Sequence, residues 1–187
     1  MNYFEVFGLE PVLNLDINEL EKRFHQLSRQ YHPDFHTTSL PEERERALQM
    51  TALLNDAYRT LREPSRRAEY LVRSRGFEVD PSKVPQALLA QVFEINEEME
   101  ELRAARASGD ATDVLVEALE GSRAQISRMR ADYDNRLQEA FSAWDRLIMD
   151  PDSDEKLREQ LSRLADIISH SAYIRNMERD IENEVSH

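Results

Sequence analysis

Apolar residues recur every three or four positions along most of the chain, and this spacing predicts helices almost throughout. In "LDINELEKRFHQLSRQYH" one apolar stripe carries Leu20, Phe24, Leu27 and Tyr31. Asp16 is the expected N-cap, and Glu19 stands at the spacing of a capping box. Three basic residues of this segment lie off the stripe and are expected to face solvent: Lys22, Arg23 and Arg29.

Three more helices are predicted in the first half of the chain. The aromatic segment "NYFEVFGL" reads as a short helix that ends near Gly8. After the segment "FHTTSLP", a long helix is expected with Ser39 as its cap, and its stripe carries Ala47, Leu54, Ala57 and Leu61. A short helix then opens at Pro64 and closes at Gly76, because proline suits a first turn and glycine a helix end.

The second half predicts three longer helices, at about 85–107, 112–149 and 153–184. Their stripes include Val92, Ile95, Met99 and Leu102 in the first, Leu119, Ile126, Phe141 and Trp144 in the second, and Leu161, Leu164, Ile174 and Ile181 in the third. Short connections make neighbouring helices antiparallel. The fold class expected is therefore all-α, with a three-helix bundle in the second half.

Two apolar pairs stand beside these stripes rather than on them. Leu89 and Phe93 are four residues apart near the start of the bundle, and Tyr173 and Met177 are four apart near its end. Either the bundle has a wider core than a strict seam, or these side chains form an exposed apolar patch that a partner covers. Spacing alone leaves both interpretations open.

Charge divides the chain into two parts. The 187 residues carry a formal charge of −13, of which residues 77–187 hold −12 with 13 basic and 25 acidic residues. Glycine and proline cluster at the change, so we expect domains at 1–75 and 85–187 with a linker at 76–84. The acidic second half argues against a nucleic-acid partner, and no apolar run approaches the length of a membrane span. Without cysteine, the chain offers no thiol for disulfides, zinc or iron–sulfur ligation.

The tripeptide His32-Pro33-Asp34 follows the helix that ends near Tyr31. Taken by itself, the tripeptide is most simply interpreted as the end of a helix, because proline disfavours helical geometry at the residue before it. A metal site or a hydrolase centre would have to use His25, His32, Asp34 and His36, but Pro33 separates these side chains, so no metal, cofactor or catalytic residue is expected. The remaining interpretation is a contact surface, with Asp34 presented to a partner.

The motifs around the tripeptide decide between these interpretations. "YFEVFGL", "FHQLSRQYHPD" and "LLNDAYRTLREPSRRAEYL", in this order, resemble the J-domain, the module by which J-proteins drive the ATPase of a DnaK-type chaperone. The resemblance implies a chaperone-binding site made of His32, Pro33 and Asp34, with Lys22, Arg23 and Arg29 as its basic face. His25, Gln26, Gln30 and Phe35 stand where general J-proteins often carry basic residues, which suggests a specialised chaperone partner or a weaker electrostatic contribution to the contact.

A J-domain followed by an acidic bundle, with "RRAEYLVRSRGFEVD" at the junction, is similar to the HscB family of co-chaperones of iron–sulfur cluster assembly. That resemblance implies a non-enzymatic, bacterial cytoplasmic protein that binds the scaffold IscU through Leu89, Phe93 and Tyr173 and delivers it to the chaperone HscA. The rival interpretations are a J-protein for another client and a helical adaptor. An exposed patch also leaves weak self-association open.

Overall fold

The computed structural model describes residues 2–32, 40–110, 112–150 and 153–186. These residues form helices and no strand, as the hydrophobic spacing predicts. The helices are α1 (Tyr3–Val6), α2 (Ile17–Gln30), α3 (Pro41–Leu61), α4 (Pro64–Ser74), α5 (Leu89–Ser108), α6 (Asp113–Leu147) and α7 (Asp154–Val185), with a 3₁₀ turn at Gln86–Leu88. Within the described part of the chain, no helix is long and apolar enough to cross a membrane.

The chain forms two compact units. The first contains Met1–Glu78 and Ala140–Ser162, and the second contains Val79–Glu139 and Arg163–His187. The stretch from Ala140 to Ser162, which includes the end of α6 and the beginning of α7, therefore packs with α1–α4. Composition gave no indication of this arrangement, because the charge change near residue 77 is the only break visible in the sequence.

Aromatic stacking joins the helices of the first unit. The ring of Tyr3 lies 4.2 Å from that of Tyr70 and nearly parallel to it, and the backbone N–H of Tyr3 donates to the Tyr70 hydroxyl at 2.9 Å. Phe24 of α2 stacks on Tyr58 of α3 with 4.3 Å between the ring centroids. These contacts cover part of each aromatic side chain and fix α1 against α4 and α2 against α3.

The segment before α2 is anchored by residues of α6. The carboxylate of Asp145 accepts hydrogen bonds from the backbone N–H groups of Leu13 and Asn14, at 2.6 and 2.8 Å. The indole N–H of Trp144 donates to the carbonyl of Pro11 at 2.8 Å, and Trp144 is buried. Two adjacent residues of α6 thus satisfy backbone groups of a loop about 130 positions earlier in the chain.

A buried arginine completes this anchor. Arg67 is only 3% exposed, and its guanidinium donates to the carbonyl of Leu13 at 3.0 and 2.8 Å and to the carbonyl of Leu61. Burial lowers the pKa of Arg67, while the charges of Asp145 and Glu63 oppose that shift. The hydrogen bonds and the two carboxylates offset the cost of removing the charge from water.

The second unit is a bundle of α5, α6 and α7 around one apolar core. Its buried residues are Leu88, Val92, Ile95, Met99, Leu102, Leu119, Ile126, Ile174, Met177 and Ile181. Arg123 pairs with Glu182, and Arg130 pairs with Glu178, so α6 and α7 run antiparallel. The three-helix bundle predicted from the stripes is therefore present.

Two local expectations are wrong. The N-cap of α3 is Leu40, with Pro41 in the first turn, instead of Ser39, which lies outside the described residues. The helix expected from Pro85 begins as a 3₁₀ turn and becomes α-helical only at Leu89. For Met177 spacing left two interpretations open, and the structure favours the wider core: Met177 is 7% exposed, because it follows Ile174 by three residues and precedes Ile181 by four on the same stripe.

Candidate functional site

Two of the three basic residues expected to face solvent on α2 do so. Lys22 and Arg29 are exposed, and they lie seven residues apart, so both are on one face of the helix. Asp16 caps this helix by accepting from the N–H groups of Asn18 and Glu19. The cap and the stacking of Phe24 hold α2 in place, so the positive face is presented by an ordered helix.

Arg23 is engaged within the molecule. Its guanidinium donates to the carbonyls of Phe7 and Gly8 at 2.8 and 2.6 Å and pairs with Glu19 at 2.7 Å. The expectation that Arg23 faces solvent is therefore met only in part, because its side chain is 35% exposed and its donors are directed at the end of α1. This geometry assigns Arg23 a bracing contact between α1 and α2, whatever else it binds.

The tripeptide falls at the edge of the described chain. Helix α2 ends at Gln30, and His32 is exposed directly after it. Pro33, Asp34 and His36 lie outside the described residues, so the proposed role of the tripeptide stays a prediction. Elsewhere, in the ranges the structure describes, no group of three or more His, Asp or Glu side chains could hold a metal ion.

The apolar pair at the start of α5 is exposed. Leu89 is 53% exposed and Phe93 is 64% exposed, whereas the neighbouring stripe residues Val92 and Ile95 are buried. The wider-core interpretation is therefore wrong for this pair. Leu89 and Phe93 lie one helical turn apart, which places their side chains next to each other on the surface.

A cleft of about 440 Å³ continues this face of α5. Asn96, one turn after Phe93, lines the cleft together with Tyr173 of α7. The floor is apolar, with Met99 and Met177, and acidic side chains stand at its edge, namely Asp80 and Asp180. Leu89, Phe93 and the cleft form what we call the α5 surface.

Tyr173 is half-buried at the α5 surface. Its ring packs against the bundle core, and burial raises the pKa of its hydroxyl, with a further contribution from the charge of Asp180. The phenol therefore stays neutral and can donate a hydrogen bond to a ligand in the cleft. The sequence prediction singled out Tyr173 but missed Asn96 and Asp180. Their i, i+3 and i, i+7 spacing from Phe93 and Tyr173 was the available signal.

A family model for the DnaJ domain matches residues 2–70. Among curated proteins, the chain is 41% identical over 108 residues to the co-chaperone protein HscB homolog of Vibrio cholerae, a match that covers 56% of this chain and 63% of that relative. The corresponding protein of Vibrio vulnificus is 40% identical over 106 residues, covering 54% of this chain and 61% of the relative. The matched region thus spans a little under two thirds of these relatives.

Solved structures match over nearly the whole chain. The chaperone HscB from Vibrio cholerae superposes with a TM-score of 0.60 at 29% identity, covering 98% of this chain and 96% of that one. The human co-chaperone protein HscB superposes with a TM-score of 0.61 at 20% identity, covering 98% and 81%, which shows a shared fold. The chain therefore contains a DnaJ domain at residues 2–70 and is similar in sequence and fold to the HscB co-chaperones.

Proposed function

We propose that this protein is a non-enzymatic co-chaperone that stimulates the ATPase of a DnaK-type chaperone of the HscA kind and delivers an iron–sulfur scaffold of the IscU kind to it. The observation that carries the proposal is the α5 surface. It presents two adjacent, exposed apolar side chains beside a concave cleft, in a chain that also contains a DnaJ domain. We place this activity in the bacterial cytoplasm.

The chaperone contact is assigned to α2 and the tripeptide after it. Lys22 and Arg29 supply positive charge on an exposed helical face, which steers encounter with an acidic chaperone surface. Asp34 presents a carboxylate that a partner arginine can bind with two parallel hydrogen bonds. His32 and Pro33 are assigned to the same proposed contact.

The client contact is assigned to Leu89, Phe93 and Tyr173. Exposed apolar side chains that cluster beside a pocket are typical of protein-binding sites, because covering them removes apolar area from water. The neutral phenol of Tyr173 adds directionality at the edge of the cleft. The scaffold would therefore bind by an apolar contact to α5, with a polar group near Tyr173.

Single-turnover ATP hydrolysis by purified HscA, with and without IscU, tests both contacts at once. Asp34→Asn removes the charge and keeps the shape, so stimulation should fall by at least about 100-fold if a charge-assisted pair of about 3 kcal/mol is lost. Binding of IscU to the variant should be unchanged. Asp134→Asn is the matched control, since Asp134 is an exposed carboxylate on α6 in the other unit.

Two results would contradict the proposal. If Asp34→Asn stimulates as well as the parent protein, the tripeptide does not signal to the chaperone. If the protein stimulates HscA but IscU neither binds it nor adds to the stimulation, the client is a different protein, and capture from a cell lysate would then identify it.

A further inference from the structure

The second unit contains a cleft lined mainly by arginine. It lies between α6 and α7, has a volume of about 380 Å³, and is lined by Arg123, Arg130, Arg175, Glu178, Arg179 and Glu182. Four guanidinium groups and two carboxylates give the arginine cleft a formal charge of +2. Residues 77–187 hold 13 basic and 25 acidic residues, so the cleft is positively charged within a strongly acidic half of the chain.

Two of the arginines are held by the two glutamates. Arg130 pairs with Glu178 at 2.6 Å, and Arg123 pairs with Glu182 at 3.1 Å. Glu178 also accepts a hydrogen bond from the hydroxyl of Ser127, and the pKa of Glu178 is lowered by that bond and by Arg130. These contacts cross between α6 and α7 and fix the walls of the cleft.

The other two arginines are not neutralised in this way. Arg175 donates to the hydroxyl of Ser171, an uncharged acceptor, at 2.7 Å. Arg179 forms only a loose, exposed ion pair with the neighbouring Asp180, whose nearest oxygen is 3.7 Å away and too far for a hydrogen bond. Within the described ranges, neither arginine has a carboxylate at hydrogen-bonding distance. Both side chains are exposed, so their donors are accessible to a ligand.

The dimensions of the arginine cleft indicate the kind of anion that fits. Arg123 and Arg130 are seven residues apart, or about 10 Å along α6, and Arg175 and Arg179 are about 6 Å apart along α7. A single phosphate is too small to reach all four groups. An extended peptide with an acidic residue at every second position places carboxylates about 7 Å apart, which matches this spacing.

We propose that the arginine cleft is a binding site for an acidic peptide segment of a partner protein, which contributes at least two carboxylates to Arg175 and Arg179. Guanidinium groups bind carboxylates with paired hydrogen bonds, so arginine suits this task better than lysine. Glu178 and Glu182 hold Arg123 and Arg130 in place and restrict entry to ligands with enough negative charge to overcome two fixed carboxylates.

The arginine cleft is separate from the α5 surface. Tyr173 and Met177 direct one flank of α7 towards α5, whereas Arg175 and Arg179 lie on the flank that faces α6. The inference therefore does not depend on the proposed function, and an acidic segment could bind while the α5 surface is occupied.

Fluorescence anisotropy with the full chain tests the inference. The probe is a labelled eight-residue peptide of alternating Glu and Gly, and the same peptide with Gln in place of Glu is its control. The Glu peptide should bind, and its affinity should fall as salt rises from about 50 to about 200 mM, because the contacts are exposed. Arg175→Gln/Arg179→Gln should weaken binding about tenfold, since two exposed charge pairs are lost.

The matched control is Arg128→Gln/Arg163→Gln, which removes the same charge from exposed positions of α6 and α7 outside the cleft. It should change affinity less than about twofold. Circular dichroism should show that both variants keep the helical content and melting temperature of the parent protein, because all four side chains are exposed.

Four outcomes would overturn the inference. In the first, the Glu peptide does not bind. In the second, both double variants weaken peptide binding equally, which would show that binding depends only on the net charge of the protein. Inorganic phosphate displaces the peptide at concentrations near the peptide's own dissociation constant, which would make the cleft a site for a single oxyanion. Sedimentation shows a dimer that Arg175→Gln/Arg179→Gln dissolves, which would make a second copy of this chain the occupant.

Discussion

Replacing Leu89 and Phe93 together by alanine should separate stability from client binding. Both side chains are on α5, with 53% and 64% of their surface exposed. Alanine shortens both without introducing a polar group, and it favours helix. The double change therefore removes most of the exposed apolar area of the α5 surface and leaves the core stripe intact.

The loss of stability should be small. Complete burial of a leucine or phenylalanine side chain stabilises a protein by about 1.5–3 kcal/mol. About half of Leu89 and a third of Phe93 are buried in the free protein, so truncation removes roughly 2 kcal/mol in total, and the higher helix propensity of alanine offsets part of it. We expect the free energy of unfolding to fall by about 1–2 kcal/mol.

The loss of binding should be larger. Contact with the scaffold would bury the remaining surface of both side chains, which contributes about 2–3 kcal/mol by the same scale. The dissociation constant for IscU should then rise by about 30- to 150-fold. Titration calorimetry measures this change, and urea denaturation of the same samples measures stability.

Two control variants make the result decisive. Val114→Ala removes another exposed apolar side chain of the bundle, at 78% exposure, and should leave binding within about twofold. Met177→Ala, at a buried position, should lower stability by about 2–5 kcal/mol. If the Leu89/Phe93 variant loses stability like Met177→Ala, or binds IscU like the parent protein, the α5 surface is not the client site.

The remaining predictions concern the first unit and one carboxylate of the bundle. Lys22→Gln/Arg29→Gln should raise the protein concentration needed for half-maximal stimulation of HscA by about 3- to 10-fold and make that concentration less dependent on salt. Steady-state ATPase assays measure both effects, and an unchanged salt dependence would argue against electrostatic steering by α2. Arg67→Met should lower the free energy of unfolding by about 3 kcal/mol in urea titrations, because two buried carbonyls lose their hydrogen-bond donor. An unchanged free energy of unfolding would show that the buried arginine makes no net contribution to stability. The hydrogen bonds from Ser127 and Arg130 lower the pKa of Glu178 in the folded state, so the stability that this carboxylate contributes is present above its unfolded-state pKa and is lost as the pH falls through the folded pKa. Glu178→Gln should therefore flatten the pH dependence of the melting temperature below about pH 5, and an identical slope would refute this.

The helices could be predicted because their signals are local. Val92, Ile95, Met99 and Leu102 repeat at the spacing of one helical face, and all four are buried. Gly109, where the chain takes a positive φ of 74°, ends α5 close to the predicted end near residue 107. A helix needs only its own stripe and its caps to be recognised, so the elements and their order follow from the sequence.

Partners from distant parts of the chain could not be predicted. Arg66 and Arg67 are adjacent and chemically identical, yet only Arg67 is buried, because the carbonyls of Leu13 and Leu61 converge on it. Nothing in the local pattern distinguishes the two. In the same way, Arg23 was expected to lie in solvent, since the carbonyls at the end of α1 that bind it are set by tertiary packing.

The candidate sites also combine features that local spacing predicts with features that depend on tertiary packing. The spacing of Leu89 and Phe93 showed that they lie off the seam, but exposure depended on which neighbours cover them. The arginine cleft was not predicted, because residues of α6 and α7 some 45 to 59 positions apart meet only once the register of the two helices is known. Register is fixed by core packing along the whole length of both helices, which a single stripe does not specify.

The anchoring of the Leu13 segment has a consequence for synthesis on the ribosome. Trp144 and Asp145 bind this segment, and the first unit is complete only when residue 162 has been made. At about 5–20 residues per second, the 84 residues after Glu78 take about 4–17 s to translate. During that time the first part of the nascent chain has Leu13, Asn14 and Pro11 without their final partners, and in this interval chaperones could recognise the chain as unfinished.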